Sequence, residues 1–209
     1  AFYVGFKNNQ SYNRLWEARK IWGAIVNSSR TFGATTTAFI HNESTENKLP
    51  KEQIEDIHQR LIYRHIAWLY TLRKQLLVAT PWEHASQLKH KKLVERSVKR
   101  FKFNAYDDEI KKSLSEYLKH DDLESLKTKK NMATQIIHKQ TTELSELRSK
   151  GLLNDFRHME LQKTLNEFYV HQGKAERIKK FPLPRQYGGM SIIFIRIFIF
   201  LLPFSLVPE

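Results

Sequence analysis

The sequence predicts an all-α chain, and three observations carry that prediction. Between Glu52 and about Val78 the residues Ile54, Ile57, Leu61, Ile62, His65, Ile66, Leu69, Leu72 and Leu76 recur at helical, not strand, period. The chain opens on Phe2 and Phe6, one helical turn apart, and passes directly into Lys7, Asn8, Asn9 and Gln10. It closes on a nearly all-apolar run, residues 190–207, at the lower edge of the length that spans a bilayer. An apolar helix that turns polar while staying helical is the pattern of a membrane helix emerging into water. The expected architecture is a helical body between two membrane-helix ends.

Residues 1–32 read as one long helix with a partial apolar stripe of Val4, Leu15, Trp22, Ile25 and Val26, weakened at Gly33 and the threonines after it. His41 to Lys48 is polar and turn-like, and Pro50 opens the second helix where proline is tolerated. That helix is too charged to span a bilayer: Arg60, Arg64, Arg73 and Lys74 would each cost about 2.5–3.5 kcal/mol near a membrane centre. Pro81 ends it, and residues 101–108 read as a linker. Asp107 to Leu118 reads as a short helix. Leu123 to Leu147 reads as another, with Met132, Ile136, Ile137, Leu144 and Leu147 on one side. Gly151 supplies a left-handed cap, and Asn154 or Asp155 starts a helix running to about Gly173. Phe181-Pro182-Leu183-Pro184 is a fixed extended turn, because two prolines so spaced do not fit a regular helix. The terminal apolar run reads as a membrane span, although a buried helix or a buried strand has similar composition.

Composition narrows the function. The chain has 209 residues, enough for one sizeable domain, and carries 35 Lys and Arg against 22 Asp and Glu, a net +13. Such a balance points to nucleic acid or an anionic membrane surface. The basic residues are spread over helical segments, densest at 89–92, 99–102 and 127–130, so solvated helix faces are the plainer reading. Cysteine is absent, which excludes disulfides and thiolate metal sites and fits a cytosol-facing bulk. No HExxH, GxSxG, P-loop or GxGxxG occurs, so no enzyme and no cofactor is expected. Pro81-Trp82-Glu83-His84 sets a carboxylate beside an imidazole, but sequence neighbours rarely form a catalytic pair. Asp107-Asp108-Glu109 and Asp121-Asp122 lack a calcium-loop pattern, so no metal site is expected.

The segment from Gly5 to Gly23, GFKNNQSYNRLWEARKIWG, resembles the end of the second membrane helix in bestrophins, a family of pentameric ion channels, and its bacterial members in particular. A second block agrees: Ala175 to Lys179 (AERIK), then FPLPRQY, then an apolar helix ending LLPFSLV. Weaker echoes, RHIAWLYTLRKQL and PWEH, lie between them. The resemblance spans essentially the whole chain and is strongest at its two ends.

The resemblance implies a homopentameric channel subunit in the bacterial inner membrane, with its helical body in the cytoplasm. Residues 1–32 would end the second membrane helix and continue into the cytosol. Residues 33–180 would form the body, 181–189 the proline turn at the lower aperture, and 190–209 most of the third membrane helix. The first and fourth membrane helices would lie beyond the two ends. Phe2 and Phe6 would form rings of a hydrophobic pore neck, where apolar side chains impose a dewetting barrier. From the residues alone, ordinary helix packing explains that pair. Leu183 would form a lower aperture, or else fill an apolar gap beside the turn. Arg185 and Gln186 depart from the family there, so ion preference is not carried over. Animal members prefer anions, and some bacterial members pass cations. Asn8, Asn9 and Gln10 would line the pore below the neck, or cap neighbouring helices. Trp16, Glu17, Arg19, Lys20 and Trp22 are expected in subunit or intra-bundle contacts, and Glu176 and Arg177 in an ion pair or cap. The partners would be further copies of the chain, the permeant ions and the bilayer. Two other classes compete. A membrane-anchored helical scaffold would share the apolar ends. A basic helical protein binding nucleic acid is disfavoured, because no helix clusters the charge and the tail is apolar.

Overall fold

A computed structural model describes residues 2–42, 48–78, 80, 114–181 and 185–206, with side chains described at 8–42, 48–78, 80, 114–126, 128–181 and 193–204. Among these residues all regular structure is helical and there is no strand, as the periodicity predicts. The helices are α1 (Phe2–Phe39), α2 (Lys51–Leu77), α3 (His120–Lys127), α4 (Met132–Ser149), α5 (Asp155–Lys180) and α6 (Arg185–Leu206). One further helical turn, 114–117, precedes α3. The expected break at Pro81 and the linker at 101–108 lie outside the described residues.

Three expectations are corrected. First, α1 does not weaken near residue 32 but runs through Gly33 to Phe39. A mid-helix glycine costs only about 1 kcal/mol relative to alanine. Phe32, Thr36 and Ile40, all buried, secure the chain around it. Thr31, Thr35 and Thr37 turn their hydroxyls back onto carbonyls of the preceding turn (2.8–3.2 Å) and so remain helical. The inward stripe is Ile21, Ile25, Ser28, Phe32 and Thr36, whereas Leu15, Trp22 and Val26 are exposed. Second, the segment Leu123–Leu147 is not one helix. It breaks after Lys127, and Asn131 caps α4 by accepting the Thr134 N–H at 3.2 Å. That bond satisfies a donor which an uninterrupted helix would have paired internally. Third, α5 passes Gly173 and ends at Lys180. Ala175 is buried and Ile178 packs on the core, so burial beyond the glycine outweighs its low propensity.

The punctuation is otherwise as expected. Pro50 stands at the N-cap of α2, and its carbonyl accepts from Gln53 N–H at 3.0 Å. Gly151 takes φ 73°, the left-handed conformation that ends α4. Asn154 caps α5, accepting from Arg157 N–H at 2.9 Å.

α5 packs most extensively on α1, and α4 bridges α2 and α5. The centre is a ring cluster of Phe32 (α1), His65 and Trp68 (α2) and Phe168 (α5). His65 lies 4.5 Å from Phe168 and 5.3 Å from Trp68 between ring centroids, and Phe32 meets Phe168 edge-on at 5.8 Å. Such pairs add about 0.5–1.5 kcal/mol each beyond the area they bury. His65 Nε2 also lies 2.9 Å from Ser29 Oγ.

A second junction is ionic. Arg64, 7% exposed, and Arg60 both reach the carboxylate of Glu143, 9% exposed, and so join α2 to α4. Asp122 of α3 takes the Lys139 ammonium at 2.7 Å and approaches Arg64 at 3.5 Å. Burial pushes the Asp122 carboxyl up, but Lys139 and Arg64 together outweigh it and hold the group below its usual range.

Two expected outcomes follow from these junctions. Removing one side of a buried ion pair leaves an uncompensated charge, so Glu143→Leu is expected to lower unfolding free energy by about 3–5 kcal/mol. Adding Arg64→Met should recover much of that loss in denaturant titrations; additive losses would show that the pair is not coupled. The second outcome concerns acid. Burial lowers the His65 pKa from 6.5 to about 4, so the unfolded chain takes up a proton that the folded chain refuses. Stability is complete above pH 6.5 and falls as pH drops from 6.5 towards 4, by about 3 kcal/mol in all. His65→Phe should flatten the unfolding midpoint across that window; an unchanged slope would assign the acid response elsewhere.

Candidate functional site

Phe2 stands at the start of α1 and Phe6 one turn later, so the backbone gives the expected pair the spacing of one helix face. Asn8 and Asn9 follow and are exposed, and Gln10 is half-buried. Leu183 lies outside the described residues, as do Pro182 and Pro184.

Below this stretch α1 is two-faced. Its inward face meets α5, where Ser28 Oγ donates to Glu167 Oε2 at 2.8 Å. Its outward face carries Tyr12, Leu15, Trp16, Trp22 and Val26, all exposed. Tyr12 and Trp16 stack with planes 8° apart and centroids 6.4 Å apart, and the Arg19 guanidinium sits 5.8 Å from the Trp16 ring centre. Glu17 and Lys20 pair at 2.6 Å on the surface, an interaction of small net worth in water. Within the chain the contacts of Trp16 are thus with Tyr12 and Arg19, its neighbours on the same helix. The buried positions along this stretch are Ile21, Ile25 and Ser28, while Trp16 and Trp22 keep part of their surface exposed.

The last turn of α5 is held from two sides. From α1, the Arg14 guanidinium donates to the carbonyl of Ile178. From α4, Asn131 Nδ2 donates to Glu176 Oε1 at 3.2 Å. Gln172, buried at 3% exposure, accepts the Trp68 indole N–H at 3.1 Å and donates to Glu176 Oε1 at 2.8 Å. Lys180 Nζ donates to Glu176 Oε2 at 3.2 Å. Burial pushes the Glu176 carboxyl up, but bonds from Gln172, Asn131 and Lys180 outweigh it and hold the group below the usual range. The expectation of an ion pair is met at Glu176, which pairs with Lys180 at 3.2 Å. Sequence reasoning did not single out Arg14, Asn131 or Gln172. Asn131 carried a legible signal, an N-cap residue just before an apolar helical run. Gln172 carried none, since its role depends on Trp68, far away in sequence.

α6 leaves the body with little support, touching α1 alone among the described helices. Its described side chains, Ile193 to Phe204, are all exposed, and all but Arg196 and Pro203 are apolar. Pro203 sits inside the helix, and Phe200 stacks obliquely on Phe204 at 5.7 Å. Among the described residues no helix is long and apolar enough to cross a membrane. Among the described residues no three His, Asp or Glu side chains gather as metal ligands.

Residues 1–209 match the family described as bacterial/fungal bestrophin protein. The chain is 25% identical to the voltage-dependent anion channel-forming protein YneE of Escherichia coli O157:H7, over 100% of this chain and 55% of that protein. It is 24% identical to a voltage-dependent anion channel-forming protein of Nostoc sp., over 98% of this chain and 55% of that one. In structure it is similar to a bacterial bestrophin homologue from Klebsiella pneumoniae, with TM-score 0.71 and 24% identity over 99% of this chain and 62% of that one. The chain thus spans about half the length of the curated relatives it matches. The likeness to the solved structure establishes the fold.

Proposed function

The chain belongs to the bestrophin family, and on that premise we propose that it forms the central part of a homopentameric ion-channel subunit. The observation that carries this reading is the match over all 209 residues, joined by relatives whose names describe anion channel formation. Transport is passive, set by pore width, dewetting and lining charge, with no covalent chemistry and no cofactor. Phe2 and Phe6 supply two rings of the neck, and the amides of Asn8, Asn9 and Gln10 line the conduit below it. Leu183 narrows the lower aperture. Residues 190–209, with α6, enter the bilayer as the third membrane helix, and the body faces the cytoplasm of a bacterial cell.

Two features support the placement. The described side chains of α6 are exposed and, Arg196 apart, apolar, a surface that lipid covers and water does not. The outward face of α1 is rich in Trp, Tyr and Arg, the residue types enriched in protein interfaces, so it suits a neighbouring subunit. The names of the relatives favour anions as the permeant species.

The test is the reversal potential of the intact protein in a planar bilayer under a potassium chloride gradient. A stable current with a defined reversal potential is expected, and its sign identifies the preferred ion. Phe2→Ala with Phe6→Ala should raise the conductance by removing the dewetting rings. No current from a folded protein would favour the membrane-anchored scaffold. The reading also requires a ring, so light scattering of the detergent-solubilised protein should give a pentamer; a monomer would remove the pore.

A further inference from the structure

We infer that the conduit selects anions below its neck, at a basic ledge where Lys20 of α1 and Lys174 and Arg177 of α5 gather around the Glu17 carboxylate. The inference deepens the proposed channel and rests on it, since it names the residues that choose the ion.

α1 is unbroken from Phe2 to Phe39, so positions 2 and 6 fix where one stripe of the helix runs. At about 100° per residue, positions 9, 13, 17 and 20 fall within about 60° of position 2. The buried line of Ile21, Ile25, Ser28 and Phe32 lies about a quarter turn away and belongs to the body. The stripe that begins at the proposed neck therefore continues as Asn9, Asn13, Glu17 and Lys20. Asn9, Asn13 and Lys20 are exposed, and the Glu17 side chain is 41% exposed. Charge replaces amide about three turns below Phe6.

At that level the stripe meets α5, the helix that packs most extensively on α1. Lys20 Nζ pairs with Glu17 Oε2 at 2.6 Å. Lys174 and Arg177, both exposed, act on the same carboxylate from across the seam. Three cations thus share one anion. Further along, the seam opens into a cleft of about 510 Å³ whose walls carry Asn27, Lys163, Glu167 and His171. Positive charge does not accumulate there. Lys163 has Glu160 at 3.8 Å, and Glu167 takes the Ser28 hydroxyl. Burial, and then the Lys174 ammonium, push the His171 ring below its usual range, so it is uncharged at neutral pH. The positive excess lies at the upper end, nearer the neck.

Five copies about the ring axis set a belt of cations around the path. Low-dielectric walls focus such a field and raise the local concentration of the opposite ion. Glu17 tempers the field, and on the same stripe without Lys20 it would favour cations.

The experiment measures reversal potentials of the intact protein in planar bilayers under a potassium chloride gradient. The variants are Lys20→Gln, Glu17→Gln, Lys174→Gln combined with Arg177→Gln, and Lys150→Gln. Lys20→Gln and Glu17→Gln break the same ion pair but change the charge of the ledge in opposite directions. The chloride-to-potassium permeability ratio is expected to fall by about threefold in Lys20→Gln, to fall further in the Lys174 and Arg177 pair, and to rise in Glu17→Gln. Lys150 is exposed beside the start of α5, about 30 Å along that helix from Lys174, and Lys150→Gln should leave the ratio unchanged. Raising potassium chloride from about 0.1 M to about 1 M shortens the screening length from about 10 Å to about 3 Å, so the two single variants should converge. Shifts of the same sign in Lys20→Gln and Glu17→Gln would give the pair a packing role and overturn the inference. Unchanged ratios, an equal shift in Lys150→Gln, or a difference undiminished at high salt would overturn it too. An unmodified protein that prefers potassium would overturn anion selection and leave the channel standing. No current from the unmodified protein would remove the channel, and the inference with it.

Discussion

With Phe32, His65, Trp68 and Phe168 packed ring to ring, α1 has no freedom to rotate about its own axis. Ser29 is bonded to His65 and Ser28 to Glu167, so one turn of α1 is gripped by α2 and α5 at once. That grip decides what every other residue of α1 faces. Ile21 and Ile25 continue the inward line, and by helical spacing Tyr12, Trp16 and Trp22 must point away from it. The same rotation is inherited upward, one turn at a time, by the amides at Asn8 and Asn9 and by the backbone at Phe2 and Phe6. A cluster deep in the body thus fixes the register of a helix whose proposed work lies at its far end.

The ionic junction ties α2 to α3 and α4. Arg64 is nearly inaccessible, and its charge is tolerated because Glu143 meets it directly and Asp122 lies near. Such a pair contributes little net stability against a well-packed apolar substitute. Its geometry is more demanding than that of apolar contacts, and it ties α2, α3 and α4 in one arrangement. Gln140, which donates to the Leu61 carbonyl at 3.0 Å, adds a directional bond at the same seam. Specific polar contacts and shape-driven ring packing thereby hold opposite sides of α2.

The all-helical class and the limits of most helices were legible because period, prolines and cap residues are local. Gly151 and Asn154 did what their residue types favour. The misread limits have one cause. Gly33 and Gly173 look like stops, but tertiary burial at Thr36 and Ala175 carries each helix past them. Conversely, the periodicity through 123–147 concealed a break that Asn131 makes because its side chain is wanted elsewhere, by Glu176 and Gln172. The α1 stripe was misjudged because an amphipathic pattern shows that faces differ without showing which one is inside. Trp22 and Val26 are apolar and exposed, whereas Ser28 and Thr36 are polar and buried. Contacts such as Arg14 to Ile178 join residues too distant for any local signal.

Two surfaces of the single chain remain uncovered, and their chemistries differ. The described part of α6 exposes Ile, Phe and Leu around its length, with Arg196 as its one described charge. A helix apolar all round needs a surrounding medium and not a single docking face. The outward face of α1 is narrower, aromatic and edged by Arg19, Lys20 and Glu17, so it can be matched by one complementary surface with satisfied charges at its rim. On the channel reading these demands are met together: lipid surrounds α6, while the neighbouring subunit covers the α1 face. On the same reading the pore lies on the axis of the ring, where α1 brings the proposed neck, and α5 packs along α1. Arg14 connects those two elements within one subunit through the Ile178 carbonyl. The end of α5 is therefore held to α1 within the single chain, whatever covers the outer faces.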